Sequence, residues 1–309
     1  MGTVQIGKLT MIDISFLVVN YFSGAYTAVL VQSIKKNIKS YSYEILIGDN
    51  SIDQKERDII SPLADEKCNV VFFENNKGFV QANNELFSLS NGKVIVLINP
   101  DTEIPDDSFE KLIAELLANN TIGIIGPKLL NTDQSYQVSF YKFPTLWTVF
   151  QEHMLLVRKH VYAYNTDVNA EQFCDVVKGA CLCFRKEIIT TPYIFDPDFI
   201  MYTEEVEFCF RIVHAGLKTL YYPLANIIHH GEKSTSQEHI SAYSLFHYYV
   251  SKLLFFRKHG SIFQRILVPS VLFISLLEKS LFLFILGKRE SAKLHYATFL
   301  RVFIRDRKI

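Results

Sequence analysis

Through residues 12–117, short apolar runs alternate with segments whose apolar positions recur at helical spacing. Ile12–Val19 is apolar and ends at Asn20 and Tyr21. Gly24–Ser40 places Ala28, Val31 and Ile34 on one helical face, with Lys35, Lys36 and Lys39 toward the end that attracts cations. Tyr43–Ile47 is a second run, closed by Gly48-Asp49-Asn50-Ser51, and Ile52–Ala64 reads as a helix. Val70–Phe73 is a third run, ending at Glu74-Asn75-Asn76-Lys77-Gly78, and Phe79–Leu89 reads as a helix closed by Asn91-Gly92. Val94–Ile98 is a fourth, ending at Asn99-Pro100-Asp101, after which Asp106 and Asp107 open a helix through Leu117. This alternation predicts right-handed βαβ units on a parallel sheet. Ligands of such open sheets bind beyond the carboxyl ends of the strands. Asn20, Asp49, Asn76 with Gly78, and Asp101 with Glu103 would share that edge.

The second half is less regular. Gly123–Leu130 and Cys174–Phe184 read as strands, the latter interrupted by Gly179-Ala180, which suggests a close backbone approach. Glu204–Ala215 has helical spacing, and Leu220–Tyr222 and Asn226–Ile228 read as two short strands. From Ile240 the pattern is helical to the end, with Tyr243, Phe246, Val250, Leu253 and Leu254 on one face. Ile262–Leu286 is strongly apolar but carries Arg265, Pro269, Glu278 and Lys279. A spanning helix wants about 20 uninterrupted apolar residues, so this segment reads as one or two helices lying in a membrane interface or packed on the body. Lys288, Arg289, Lys293, Arg301, Arg305, Arg307 and Lys308 would meet lipid headgroups.

Composition narrows the class. The 309 residues are 49% hydrophobic and 21% charged, with only 13 Gly and 9 Pro, which excludes a disordered or low-complexity chain. The net charge is zero but divided: 12 basic against 3 acidic residues from Ser251 onward, and 20 against 29 before it. A basic, apolar tail suits an anionic lipid surface. The acidic body and the lack of a recognition motif argue against nucleic acid. Cys68, Cys174, Cys181, Cys183 and Cys209 fit neither a disulfide framework nor a zinc knuckle, so they read as buried thiols of a cytosolic protein. Met1–Thr10 has no apolar h-region, which places the chain inside the cell.

No GxGxxG follows the first strand and no GxxxxGK[ST] is present. A nucleotide would therefore be gripped by side chains and metal. Asp101-Thr102-Glu103, at a strand end, offers two carboxylates for a hard divalent cation bound to phosphates. Glu204-Glu205-Val206-Glu207 opens a helix, where acids complement the dipole or supply a general base over a sugar. His229-His230 ends a strand candidate and would complete a metal site.

In order and spacing these segments resemble the family 2 inverting glycosyltransferases of GT-A fold, nearest the bacterial rhamnosyltransferase-like group. The resemblance runs from about Asp13 to His259. Val18–Gly24 resembles the group's opening strand and turn, and Glu44–Ser51 its base-binding strand. Asn76-Lys77-Gly78-Phe79 with Asn84 resembles its N-x-G-F loop and helix. Leu97–Glu103 is similar to its D-x-D variant, and Lys178-Gly179-Ala180 to its acceptor-side strand. Phe195–Arg211 resembles its F-D-x-x-F and E-D segment, and Pro223-x-Ala225, His229 and Ser234 its closing motif. Glu205 and Glu207 stand where the group has Asp.

The resemblance implies an α/β GT-A domain over residues 1–240 with a mostly parallel central sheet, and the apolar, basic residues 241–309 read as a helical, membrane-associating extension. It implies transfer of a sugar, rhamnose from dTDP-rhamnose before a UDP-linked hexose, to a glycan or lipid-linked glycan in bacterial surface polysaccharide synthesis. Asn20, Tyr21, Asp49, Asn76, Gly78, Asn84, Gly179, Ala180 and Arg211 would bind substrate. Asp101, Glu103 and His229 would hold Mg²⁺ or Mn²⁺. Glu205 would be the base, with Glu204 as the alternative. The enzyme would work in the cytoplasm on the inner face of the cell membrane. The glutamate replacements leave one rival reading, a weakly active or inactive nucleotide-sugar-binding subunit of an assembly complex.

Overall fold

The computed structural model describes residues 12–154, 161–231 and 241–305. The expected motif residue Ser234 and the tail residues Arg307 and Lys308 lie outside them.

The first half follows the predicted alternation: β1 (Ile14–Asn20), α1 (Gly24–Asn37), β2 (Tyr43–Asp49), α2 (Gln54–Ile60), β3 (Cys68–Phe72), α3 (Gly78–Leu89), β4 (Val94–Ile98), β5 (Thr102–Glu103) and α4 (Ser108–Ala118). Helix α2 is shorter than its pattern. Asp53 caps its start through Lys55 N and Glu56 N, and a tighter 3₁₀ turn carrying Pro62 follows its end. The chain continues through β6 (Ile122–Leu130), β7 (Tyr136–Gln137), β8 (Phe140–Tyr141), α5 (Leu146–His153), β9 (Gln172–Cys174), β10 (Val176–Val177), β11 (Cys181–Arg185), α6 (Glu204–His214) and β12 (Lys218–His229). Helices α7 (Ala242–His259), α8 (Ile262–Ile285) and α9 (Arg289–Leu300) close it.

The main sheet runs β3-β2-β1-β4-β11-β6-β12-β5, with β7 on β6 and β9 on β12. Strands β1 to β4 are mutually parallel, and β12 is parallel to β6. Strand β11 is antiparallel to both β4 and β6. Because β11 runs backward, the residues before it, Lys178–Ala180, fall on the edge where β1, β2 and β4 end. That reversal brings residues from both halves of the chain to one site.

Two local expectations change. The Cys174–Phe184 run is three strands, since β10 leaves the main sheet to pair with β8. The two short strands near the end are one, β12, with a register shift between Tyr222 and Asn226. Pro223 cannot donate to a ladder, and a bulge accommodates it.

Successive strand residues face opposite sides, so the sheet has two apolar faces. Phe16, Val18, Ile45 and Val96 pack with Leu30, Val31 and Ile34 of α1 and Phe109 and Leu112 of α4. On the other face Leu17, Leu97 and Phe184 share one buried cluster with Phe208 of α6, Phe246 and Tyr249 of α7, Leu272 of α8 and Phe299 of α9. Tyr243, expected on the apolar face of α7, is instead half exposed. Helix α8 is one continuous helix of 24 residues, long and apolar enough to cross a membrane. Val268, Leu272, Ser275 and Leu276 form its buried stripe, while Phe263, Ile266, Phe282 and Ile285 are exposed. All five cysteines are buried and unpaired.

Candidate active site

The first wall of the site is built at the ends of β1 and β2. The two strands pair in register, so Asn20 lies beside Asp49. Asn20 Nδ2 donates to Asp49 Oδ1 at 3.0 Å and to Ser51 Oγ at 3.1 Å. Its Oδ1 accepts from Ser23 N at 3.2 Å and Thr27 Oγ1 at 3.1 Å. Asn20 is fully buried and its amide is fully used inside the fold, so it orients Asp49 and the following turn. Asp49 Oδ1 also accepts from Ser51 N, whereas Asp49 Oδ2 is buried with no partner in the protein. A buried carboxylate oxygen left unbonded is costly and marks a place for an incoming donor. Tyr21 and Phe22 stand exposed above this corner, edge to face at 4.8 Å. Phe22 and Ile52 both hold left-handed backbone, which concentrates strain here.

The loop after β3 is tied to the same corner. Asn50 Nδ2 donates to Gly78 O at 3.0 Å, and Lys77 N donates to Asn50 Oδ1 at 2.9 Å. Gly78 has φ +71°, which only glycine adopts without cost, and its N–H is held by Asn76 Oδ1. Asn76 thus shapes the turn that starts α3.

The second wall joins β5 to the end of β12, where Thr102 pairs with His229. His229 Nε2 lies 3.4 Å from Asp101 Oδ1, while His230 Nε2 lies 3.7 Å from Glu103 Oε2. The expected Asp101–Glu103–His229 triad is therefore two pairs. His229 and His230 are successive residues, so their rings diverge and take one carboxylate each. Among the described residues, no three His, Cys, Asp or Glu side chains converge on a metal position. Burial alone would raise Asp101's carboxyl, but the bond and charge of His229 more than offset it and hold it below its ordinary value. His229 Nδ1 contacts Gln137 Oε1 at 2.6 Å. Gln137 Nε2 is committed to Asn131 Oδ1, so its Oε1 accepts from His229 Nδ1 and holds the ring with Nε2 toward Asp101.

Two ligands at right angles on a cation bound at about 2.1 Å stand about 3 Å apart. Asp101 Oδ1 and His229 Nε2, at 3.4 Å, stand somewhat wider than that, and a phosphate-bound divalent cation needs no more than one or two protein carboxylates.

The third wall is the start of α6. Tyr202 and Thr203 have φ of +64° and +68°, two consecutive left-handed residues that turn the chain into the helix. Strain of this kind persists where packing over-determines it. Here Ser251 Oγ of α7 holds Met201 O at 2.7 Å. The turn aims Glu204 and Glu205 inward. Tyr141 OH donates to Glu205 Oε1 at 2.7 Å, and Oε2 of both glutamates is buried without a protein partner. Burial, with the Glu205 carboxylate beside it, pushes the Glu204 carboxyl up to about 8. Gly179 packs on this wall: a Cβ added there would lie 3.5 Å from Glu205 Cβ.

Three expected residues serve the frame. Asn84 Nδ2 donates to Phe195 O at 2.7 Å, and its Oδ1 accepts from Ile194 N and Phe195 N, clamping α3 to the segment before α6. Ala180 is buried, its carbonyl accepting from Asn99 N at 2.9 Å. Arg211 Nε bonds both oxygens of the buried Glu207 at 2.9 Å, and its NH2 bonds Ile194 O. Arg211 is thus a strut inside α6, since a buried Glu207 needs a paired cation. Gln137 and Tyr141 escaped the sequence reading because β7 and β8 are two residues each, too short for periodicity.

Open α/β strands ending at an acidic edge, with carboxylates facing them from a helix start, are the architecture of a GT-A type fold. The chain belongs to glycosyl transferase family 2, whose model matches residues 15–178, more than half of its length. A structure of GalNAc-T7 with UDP, GalNAc and Mn²⁺ superposes with TM-score 0.55 at 18% identity, over 72% of this chain and 44% of that one. Among curated relatives, an uncharacterized protein y4gI of Sinorhizobium fredii is 21% identical over 67% of this chain and 23% of its own. An N-acetylglucosaminyl-diphospho-decaprenol L-rhamnosyltransferase of Mycobacterium tuberculosis is 25% identical over 48% of this chain and 52% of its own. The hexosyltransferase Agl10 of low-salt glycan biosynthesis in Haloferax volcanii is 23% identical, covering 74% and 70%. The chain thus spans about a quarter of the first of these relatives and about half of the second.

Proposed function

We propose that the chain transfers a sugar from a nucleotide-diphosphate donor to an acceptor hydroxyl, inverting the anomeric centre in one displacement. The observation that carries this reading is the set of unpartnered buried oxygens of Asp49, Glu204 and Glu205 around one strand edge. Asp49 would take a base N–H on one side. Glu205 would face the acceptor on the other, oriented by Tyr141.

Between them Asp101 and His229 would hold Mg²⁺ or Mn²⁺ on the donor diphosphate, where a divalent cation supplies Lewis-acid neutralisation of leaving-group charge. Glu103, paired with His230, would act through that histidine. Glu205 would take the acceptor proton as the acceptor oxygen attacks the anomeric carbon. Glu204, whose carboxyl is raised by burial and by the Glu205 carboxylate beside it, would be the alternative base. Asn20, Asn76, Asn84, Ala180 and Arg211 would position the substrate-facing side chains, with Tyr21 against the base.

The relative that acts on a diphospho-decaprenol glycan supports a lipid-linked acceptor and rhamnose as the first sugar to try. The exposed apolar face of α8 supports docking on the inner face of a membrane. Residues 241–309 would then be the membrane-associating extension of a catalytic domain over 1–240, in bacterial surface polysaccharide synthesis.

A thermal-shift panel of UDP, dTDP, GDP, CMP and NAD, with and without Mn²⁺, tests the reading. A ligand at about 100 times its Kd stabilises a fold by about 2.7 kcal/mol. A Mn²⁺-dependent shift with one pyrimidine diphosphate is expected. No shift with any nucleotide would overturn the donor assignment, and binding without turnover would favour a nonenzymatic subunit.

A further inference from the structure

One cation at the strand edge has no role in the reading above. Lys178 lies in the turn between β10 and β11. Its N–H donates to Ser139 O at 2.8 Å and its carbonyl accepts from Cys181 N at 3.3 Å, so its backbone is held on both sides. Its ammonium meets Gln137 Oε1 at 3.4 Å, the same oxygen that fixes His229. The charges that act on it are those of Glu205 and Asp101, one on each side of the site. Yet among the described residues no carboxylate comes within ion-pair distance of it. Burial accordingly presses the ammonium below its ordinary lysine value, and the two acids only partly offset this.

A half-buried ammonium with one long hydrogen bond is costly unless an anion completes it. The neighbouring cation site is also thin, since Glu103 has turned to His230 and leaves Asp101 and His229. An anion of the donor would satisfy both deficits at once.

We propose that Lys178 binds the diphosphate of the nucleotide-sugar donor and carries part of the charge that develops as it leaves. The inference rests on the transferase reading. In the step, the acceptor oxygen bonds to the anomeric carbon and the bond from that carbon to the diphosphate oxygen breaks. The electron pair departs with the nucleoside diphosphate, and the acceptor proton goes to Glu205. Lys178 stays protonated throughout, an ammonium point charge on the departing oxygens.

The test is calorimetric binding to the full chain of UDP and dTDP against uridine and thymidine, in EDTA so that no cation assists. The wild-type protein should prefer the diphosphate to its nucleoside. Lys178→Met should lower diphosphate affinity by about 10- to 100-fold, the range for a hydrogen bond to a charged group, and leave nucleoside affinity unchanged. Lys178→Arg should keep most of the preference. If Lys178→Met fails to fold, Lys178→Gln against Lys178→Arg carries the same comparison. Equal losses for nucleoside and diphosphate would make Lys178 a structural counter-charge and overturn the proposal. So would a wild-type protein that binds the nucleoside but not its diphosphate more tightly, with the base-binding corner left standing. No binding of either would overturn the transferase reading as well.

Discussion

The Tyr141 hydroxyl donates to Glu205 Oε1 at 2.7 Å and so locks a two-residue strand to the first turn of α6. It leaves Glu205 Oε2 as the buried oxygen without a partner. General-base assistance contributes about 10² to 10⁴ in rate. Glu205→Gln should therefore lower kcat by that range while donor affinity holds, because the interaction matters only in the transition state. Tyr141→Phe should cost about tenfold in kcat through lost orientation of the carboxylate. Steady-state kinetics with donor binding measured separately would check both, and wild-type kcat in Glu205→Gln would remove the assignment.

Glu204 gives the fold a pH signature. Folded, its carboxyl keeps a proton to about 8, whereas its ordinary value is 4.5. Between those pH values the folded chain binds more protons than the unfolded one, so stability falls as pH rises through that window. Glu204→Gln cannot titrate, and its melting temperature should fall less steeply from pH 5 to about 8. Parallel slopes for the two proteins would show that the proton is not held there.

Helix α7 is pinned to α5 by a buried ion pair. Lys252 Nζ bonds Glu152 Oε2 at 2.6 Å, and Tyr162 and Tyr248 hydroxyls complete the carboxylate. Burial alone would raise Glu152, but Lys252 and its neighbours hold it down to about 2. This contribution is present above a glutamate's ordinary 4.5 and is lost as pH falls toward 2. Lys252→Met should cost about 3–5 kcal/mol by stranding the carboxylate. Adding Glu152→Gln should recover part of the loss, measured by urea unfolding of the single and double variants.

The exposed side of α8 should decide membrane attachment. Phe263 and Ile285 are each 72% exposed, at opposite ends of the helix. Burying such a side chain in lipid contributes about 1.5–3 kcal/mol, so Phe263→Asp and Ile285→Asp should each weaken binding to anionic vesicles by about tenfold or more. Flotation with vesicles, beside an unchanged circular dichroism spectrum, would show it. Wild-type flotation in the double variant would assign the face another role.

Much of the fold was legible as period. The runs Ile12–Val19, Tyr43–Ile47 and Val94–Ile98 became β1, β2 and β4, whose largely apolar sequences follow from burial on both faces. The edge holding Asn20, Asp49 and Asp101 follows from strand order, since parallel strands end together. That Lys178–Ala180 reach the same edge carried no such signal, because nothing local says that β11 runs backward. Gln137 and Tyr141, in strands of two residues, were equally silent.

The sequence by itself determined the alternating elements, the acidic strand edge and the glutamates at the start of α6, because each is a pattern of near neighbours along the chain. Only the tertiary structure decided what those residues touch. It spent Asn84 and Arg211 on the frame and split Asp101, Glu103 and His229 into two pairs. It left Asp49 and Glu205 each with a bare buried oxygen and set Lys178 within reach of the charges of both Asp101 and Glu205. Side-chain partnership depends on strand direction and on contacts across a hundred residues, and spacing in the sequence encodes neither.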